Sequence, residues 1–221
     1  EGARIAKDPA VRPDSDSKYL VRMPEVRPNL QPSKLQRIKP VQQNTSVMKK
    51  AFPVTGSGKS LIILVNFKDK AYVTPTPLTA FTNLLNQPGY STNGGTGSAK
   101  DYFMASSYGK FAPQFDVVGP VDLPNDFSFY GANDKYGNDI NPGQMIVDAC
   151  AAADATVDFT QYDTDNDGWV DNVFVYYAGY NEAEFAAAPN TIWPHRWSIS
   201  SAGITTGITF DEKKIEDYAC T

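Results

Sequence analysis

The sequence predicts an α/β layer fold. Apolar runs of strand length alternate with amphipathic stretches of helix length along residues 59–221, which is the pattern of strands packed against helices. The chain has 221 residues, 41% of them hydrophobic, so it is long enough to bury a substantial core. Residues 1–58 lack this alternation and are predicted to be separate from the folded body at 59–221.

The first half of the body contains two predicted helices after a central strand. The compact apolar run Ser60–Phe67 is typical of a strand buried on both faces. A helix is predicted from Thr76 to the Asn-Gln-Pro-Gly breaker, because one face carries the apolar residues Leu78, Phe81, Leu84 and Leu85. After a Gly-rich loop, Ser98 is a predicted N-cap of a second amphipathic helix that ends at Gly109.

The second half continues the alternation. Residues 111–123 alternate as a strand, and Asn141 followed by Pro142 predicts the start of an Ala-rich helix. Val170–Tyr180 is predicted to be another central strand. Two short alternating runs flank the polar residues Asp211–Lys214 near the end of the chain, which predicts an edge hairpin.

Residues 1–58 are rich in proline and basic, and two interpretations of them stay open. They hold seven of the 16 prolines, and Lys18–Met23 is their only predicted strand. Residues 1–59 carry a charge balance of +7 and residues 60–221 one of −12. The segment is therefore either a linker or the end of a pro-segment attracted to the acidic body. A nucleic-acid partner is not expected, since the body would repel phosphates and no dense Lys/Arg stretch occurs.

An acidic loop is the most specific chemical motif. Aspartates recur at alternate positions around a glycine, at Asp163, Asp165, Asp167, Gly168 and Asp171. Alternate carboxylates can converge on one hard cation, and Trp169 can add its backbone carbonyl, so we predict a structural calcium site. The loop differs from an EF-hand because its twelfth position is Phe174 instead of a bidentate Glu. The alternative is a solvated acidic turn.

Three further residues are candidates for the rim of a substrate site. Glu182 and Glu184 follow a predicted central strand, and ligands of open α/β sheets gather at the carboxyl ends of strands. His195 is the only histidine and stands between two tryptophans. A lone histidine is more often a packed residue than a metal ligand. The two cysteines, Cys150 and Cys220, are compatible with one bridge or with two buried thiols.

Five stretches of the body resemble secreted metalloendopeptidases of the immune inhibitor A family. They occur in the family's order at residues 61–70, 84–111, 115–124, 162–184 and 191–200. The resemblance implies the upper half of a zincin-like metalloprotease domain: a twisted mixed sheet with backing helices and an edge strand over the substrate cleft. It also implies a secreted zymogen with an N-terminal pro-segment, zinc as cofactor, and protein or peptide substrates.

One departure from the family pattern limits what the resemblance can assign. Catalysis in the family depends on a His-Glu-x-x-His helix, in which two histidines bind zinc and the glutamate is the general base. The motif is absent from these 221 residues, so no catalytic residue and no zinc ligand can be carried over. We therefore expect the N-terminal part of such a protease, which needs the remainder of its own catalytic domain. The alternatives are a calcium-stabilised, non-catalytic surface or binding module and, less favoured, an independent inhibitor-like arm at residues 1–58.

No apolar run approaches the length of a membrane span.

Overall fold

The computed structural model describes residues 53–184 and 190–221. The described residues before Thr92 and after Gly94 belong to one compact unit, whereas the 3-10 turn Thr92–Gly94 belongs to a second. The predicted strand Lys18–Met23 and most of the predicted pro-segment lie outside the described residues. At its end, Gly56 N–H donates to the Lys110 carbonyl at 2.7 Å, so strand-like pairing already begins inside the segment 1–58.

The body is a mixed α/β structure. Its strands are β1 (Lys59–Asn66), β2 (Gln114–Asp122), β3 (Val173–Tyr177), β4 (His195–Ser198), β5 (Thr209–Phe210), β6 (Lys213–Lys214) and β7 (Asp217–Cys220). Its α-helices are α1 (Pro77–Asn86), α2 (Ala99–Ser106), α3 (Phe127–Gly131) and α4 (Pro142–Ala153). Five strands form one sheet in the order β2-β1-β3-β7-β4, parallel except for β4, which runs antiparallel to β7. The α/β class and the mixed sheet are therefore confirmed. None of the described helices is long and apolar enough to cross a membrane.

The core lies around β1, which has neighbours on both edges and helices over both faces. Leu61 to Val65 are at most 2% exposed, as expected for a central parallel strand. On β3 the alternate residues Val173, Val175 and Tyr177 belong to the buried core that includes the side chains of α4. Tyr176, on the opposite face of β3, contacts Phe81 of α1 with ring centroids 4.8 Å apart. Because successive strand residues face opposite sides, α1 and α4 cover opposite faces of the sheet.

The starts of α2 and α4 follow the local signals in the sequence, whereas α2 ends at Ser106, before the predicted end at Gly109, and α3 was not predicted. The Ser98 hydroxyl accepts the Asp101 N–H, and the Asp101 carboxylate accepts the Ser98 N–H, forming a capping box at the start of α2. Pro142 is the first residue of α4, as predicted. The predicted apolar face of α1 is only partly buried, because Leu85 is enclosed whereas Leu84 is exposed.

Two features of the sheet differ from the prediction. The turn at Asp211 and Glu212 does connect two strands, β5 and β6, but they form a separate two-stranded sheet. The predicted hairpin is therefore confirmed, but its predicted place at the edge of the sheet is wrong, since β5 and β6 are separate and β7 lies inside the main sheet between β3 and β4. The edge strand next to β7 is β4, for which the sequence showed no alternating pattern. Its four residues are all half-buried or exposed, and β4 is paired on one side only.

Candidate functional site

The acidic loop joins a 3-10 turn, Phe159–Tyr162, to β3. Its Gly168 has φ +91°, a left-handed conformation that a residue with a side chain rarely adopts. Asp171 N–H donates to the Tyr162 carbonyl at 2.8 Å, which closes the loop at its base. The loop is also paired to β6, because Lys214 N–H donates to the Gly168 carbonyl at 3.0 Å.

Three carboxylates of this loop converge. Oxygens of Asp163, Asp165 and Asp167 all lie within 4.8 Å of one another, and Asp163 is buried whereas the other two are half-buried. Asp163 also organises the loop, since it accepts the backbone N–H groups of Asp167 and Gly168, each at 3.0 Å. A convergent group of carboxylate oxygens is the donor set that hard divalent cations prefer. These residues could therefore hold a metal ion.

Lys213 is a counter-charge that sequence analysis missed. Its ammonium donates to Asp163 Oδ2 at 2.7 Å from β6, 50 residues away in the chain. Burial by itself would raise the pKa of Asp163, but the Lys213 ammonium and the N–H groups of Gly168 and Asp167 outweigh burial and lower this pKa. Asp163 is thus held as a carboxylate, with one oxygen already paired to a cation. No local pattern in the loop indicates this partner.

The two remaining predicted ligands, Asp171 and Trp169, are placed differently. Asp171 Oδ2 accepts the Thr164 hydroxyl at 2.6 Å, and Asp171 does not belong to the group of three converging carboxylates. Burial, reinforced by the charges of Asp165 and Asp163, raises the pKa of Asp171. The Trp169 N–H donates to Asp167 Oδ1 at 2.9 Å. The negative charges of the loop therefore still repel one another, which is the condition that a bound cation relieves.

The two glutamate candidates differ in how firmly they are held. Glu182 Oε1 accepts the side-chain amide of Asn133 at 2.8 Å, and Glu182 N–H donates to the Ile192 carbonyl at 3.1 Å. Glu182 is thus anchored to the segment that leads into β4. Glu184 is exposed, and its hydrogen-bond partner is the nearby Asn181, whose Oδ1 accepts the Glu184 N–H at 2.9 Å.

His195 begins β4 and is engaged on both ring nitrogens. Nδ1 lies 2.7 Å from the Trp193 carbonyl and Nε2 lies 2.9 Å from the Tyr218 hydroxyl. The Sγ of Cys220 is 3.5 Å from Nδ1. In the described part of the chain, the acidic loop is the only group of three or more metal-ligating side chains, so His195 and Cys220 have no third partner. These residues do not fit a zinc site.

Both cysteines are buried free thiols. Cys150 and Cys220 are unbridged. Burial raises the pKa of Cys220 to about 12, and it also raises the pKa of Cys150. A thiol that is protonated at neutral pH is a poor nucleophile, so neither residue is suited to nucleophilic catalysis.

Sequence analysis also missed Asn133 and Asp139, which lie next to Glu182. Asp139 Oδ2 accepts the Trp193 N–H at 3.0 Å and thereby ties the loop after α3 to the start of β4. No motif marked these residues, because they lie in an irregular segment between two helices. Comparison with known proteins adds no assignment: no family model matches the sequence, and no curated protein matches it.

Proposed function

We propose that this chain is the N-terminal part of the catalytic domain of a secreted, zinc-dependent endopeptidase that cleaves proteins or peptides. The zinc ligands and the general base would lie outside these 221 residues. The proposal is supported by the five stretches that resemble the immune inhibitor A family. These stretches supply β1, β2, β3 and β4, which are four of the five strands of the main sheet.

The observation that carries the proposal is the position of β4. The resemblance implies an edge strand over a substrate cleft, and β4 is an antiparallel edge strand. Within the described residues its outer side pairs with no other strand, so the outward-facing backbone groups of Arg196 could pair with an extended peptide, whereas the Ser198 carbonyl already accepts the Ala202 N–H at 3.1 Å. Trp193 and Trp197 are 52% and 43% exposed beside this edge and could contact apolar substrate side chains.

We further propose that the acidic loop binds calcium. Its ligands would be the carboxylates of Asp163, Asp165 and Asp167, with Asp171 and the Trp169 carbonyl completing an oxygen shell. The site would be structural, since the loop leads into β3 at the start of the strand, whereas ligands of α/β sheets gather at the other end. A bound cation would hold the start of β3 and relieve the repulsion among the aspartates.

The decisive experiment for the protease proposal extends the chain. We expect the source gene to encode His-Glu-x-x-His soon after Thr221, and the extended protein to cleave a denatured protein substrate. A zinc-selective chelator should abolish this cleavage and added zinc should restore it. As the control, the Glu→Gln variant of that motif should be folded and inactive. A reading frame without the motif, or cleavage that is insensitive to zinc removal, would overturn the proposal.

The second candidate is a calcium-stabilised, non-catalytic binding module. It is favoured by one observation: within the described residues, metal-ligating side chains converge in the acidic loop and not around His195. The same extension experiment separates the two candidates, because a binding module would lack the motif and yet retain the response to calcium.

A further inference from the structure

Two buried side-chain oxygens in the described residues have no hydrogen-bond donor. They are Asn133 Oδ1 and Asp139 Oδ1, both enclosed by protein. A buried acceptor without a donor destabilises the folded state, so native structures rarely retain one. Two such acceptors in one loop therefore indicate that something which supplies a donor belongs between them.

The backbone places these two residues opposite each other. Asn133 and Asp139 form an antiparallel bridge in the loop between α3 and α4. The flanking hydrogen bonds, from Asp134 N–H to the Asn138 carbonyl at 2.8 Å and from Ile140 N–H to the Ala132 carbonyl at 3.0 Å, make them a non-hydrogen-bonded pair. In such a pair the side chains leave on the same face and approach more closely than at other positions of an antiparallel ladder.

Donors and acceptors in this cluster do not balance. The Asn133 amide is flanked by two carboxylates: its Nδ2 donates to Glu182 Oε1 at 2.8 Å, and Asp139 is its cross-strand partner. Turning the amide over would free its nitrogen for the cross-strand Asp139 but would direct the amide oxygen at Glu182 Oε1. In either orientation one carboxylate faces an oxygen. One added proton removes the conflict.

We propose that Asn133, Asp139 and Glu182 form a proton-binding site, in which a proton on Asp139 Oδ1 is donated to Asn133 Oδ1. Both unpaired oxygens are then satisfied by a single hydrogen bond. The inference concerns this cluster alone and is independent of the protease proposal.

The surrounding charges favour the protonated form. Burial, and then the charge of Glu182, raise the pKa of Asp139 to about 6, while the Trp193 N–H opposes the rise. Tyr177 on β3 and Tyr218 and Cys220 on β7 also interact electrostatically with Asp139. Burial raises the pKa of each of these three groups, so all three are neutral near pH 6. The neighbouring charge that raises the pKa of Asp139 is that of Glu182.

The site is a pH-sensitive set of contacts to the segment that leads into the edge strand β4. Asp139 Oδ2 accepts the Trp193 N–H, so the Asp139 side chain joins the loop after α3 to the segment that leads into β4. The Glu182 side chain joins the same loop through Asn133, and the backbone N–H of Glu182 donates to the Ile192 carbonyl. Because the folded-state pKa of Asp139 is raised, its stabilising contribution is complete below the ordinary Asp pKa of about 3.9 and is lost as the pH rises through about 6. Above that pH, the charge on Asp139 is repelled by that of Glu182, and the cluster stabilises the folded state less.

The test is a pH titration of the full 221-residue chain. The carboxyl carbon of Asp139, followed by NMR, should titrate near pH 6. Asp139→Asn should mimic the protonated acid, because its amide supplies the missing donor. We expect the melting temperature of the wild type to fall between about pH 5 and 7 relative to that of Asp139→Asn. Asp126→Asn, at an exposed position just before α3 where the side chain makes no capping hydrogen bond, is the matched control and should keep the wild-type slope.

Three outcomes would overturn the inference. One is an Asp139 carboxyl that titrates in the ordinary range near pH 4. Another is an Asp139→Asn variant with the same pH slope as the wild type. The third is a calcium-induced shift of the Asp139 carbon signal at pH 7 in the Asp165→Ala background, which would make the cluster a cation site. The carbon titration needs only the wild type, so a variant that fails to fold does not remove the test.

Discussion

Asp165 offers the most specific test of the acidic loop as a metal site. Its carboxylate is half-buried and accepts only one long hydrogen bond within the loop, from Asp167 N–H at 3.3 Å. Asp163, in contrast, accepts hydrogen bonds from two backbone N–H groups and from the Lys213 ammonium. Replacing Asp165 with alanine should therefore remove a proposed metal ligand with little damage to the loop itself, whereas replacing Asp163 would disturb both the proposed site and the loop.

The size of the effect follows from ligand linkage. A cation that binds only the folded state stabilises it by about 2.7 kcal/mol when its free concentration is about 100 times Kd. For a protein of this size, about 2–4 °C of melting temperature corresponds to 1 kcal/mol, so calcium should raise the wild-type melting temperature by about 5–11 °C. If Asp165→Ala weakens binding about a hundredfold, the same calcium concentration leaves about 0.4 kcal/mol, or about 1–2 °C.

The assay is thermal unfolding of the wild type and the variant, each in a strong chelator and in excess calcium, with metal analysis of the dialysed protein. Asp154→Ala is the matched control, because Asp154 is exposed at the end of α4, outside the loop, and its removal changes the net charge equally. The control should keep the full calcium response. A wild-type melting temperature that is the same in chelator and in calcium would refute the metal site.

Two further predictions test contacts that only the folded structure reveals. Lys213→Met should lower the melting temperature in chelator and enlarge the calcium-induced rise, because the buried Asp163 carboxylate then depends on the metal for its counter-charge. Lys110→Met, at an exposed site, is the control. Equal calcium responses in both variants and the wild type would contradict this prediction. Gly131→Ala should lower the free energy of unfolding, measured in urea, by about 1–3 kcal/mol, because the added Cβ would lie 2.6 Å from Ile192 Cγ1. An unchanged free energy of unfolding would contradict this prediction and show that the Ile192 segment can shift.

Predictions from local signals were correct where neighbouring residues in the sequence determine the structure. The N-cap at Ser98 and the start of α4 at Pro142 depend on contacts within a few residues, and both are confirmed. The strand at β1 depends on a continuous apolar run that is buried whatever its partners are. The aspartates at 163, 165 and 167 converge because one short loop holds all three.

The errors lie where pairing is long-range. The hairpin around Asp211 is local and exists, but the sequence could not show that β7 enters the main sheet beside β3. The strand β4 was missed because its side chains face unequal surroundings at a sheet edge. Whether a strand is central or at an edge depends on its partners, which no short window of sequence contains.

The sequence by itself determined the α/β class, the starts of α1, α2 and α4 and the acidic loop, because periodicity, capping and alternate spacing act within a dozen residues. Only the tertiary structure decided that Lys213 pairs with Asp163 and that the two cysteines remain unbridged. It also brought Asn133 and Asp139 beside Glu182, leaving two oxygens without a donor. Charge pairing and hydrogen-bond balance depend on which distant segments meet, and the crossovers of the sheet decide that.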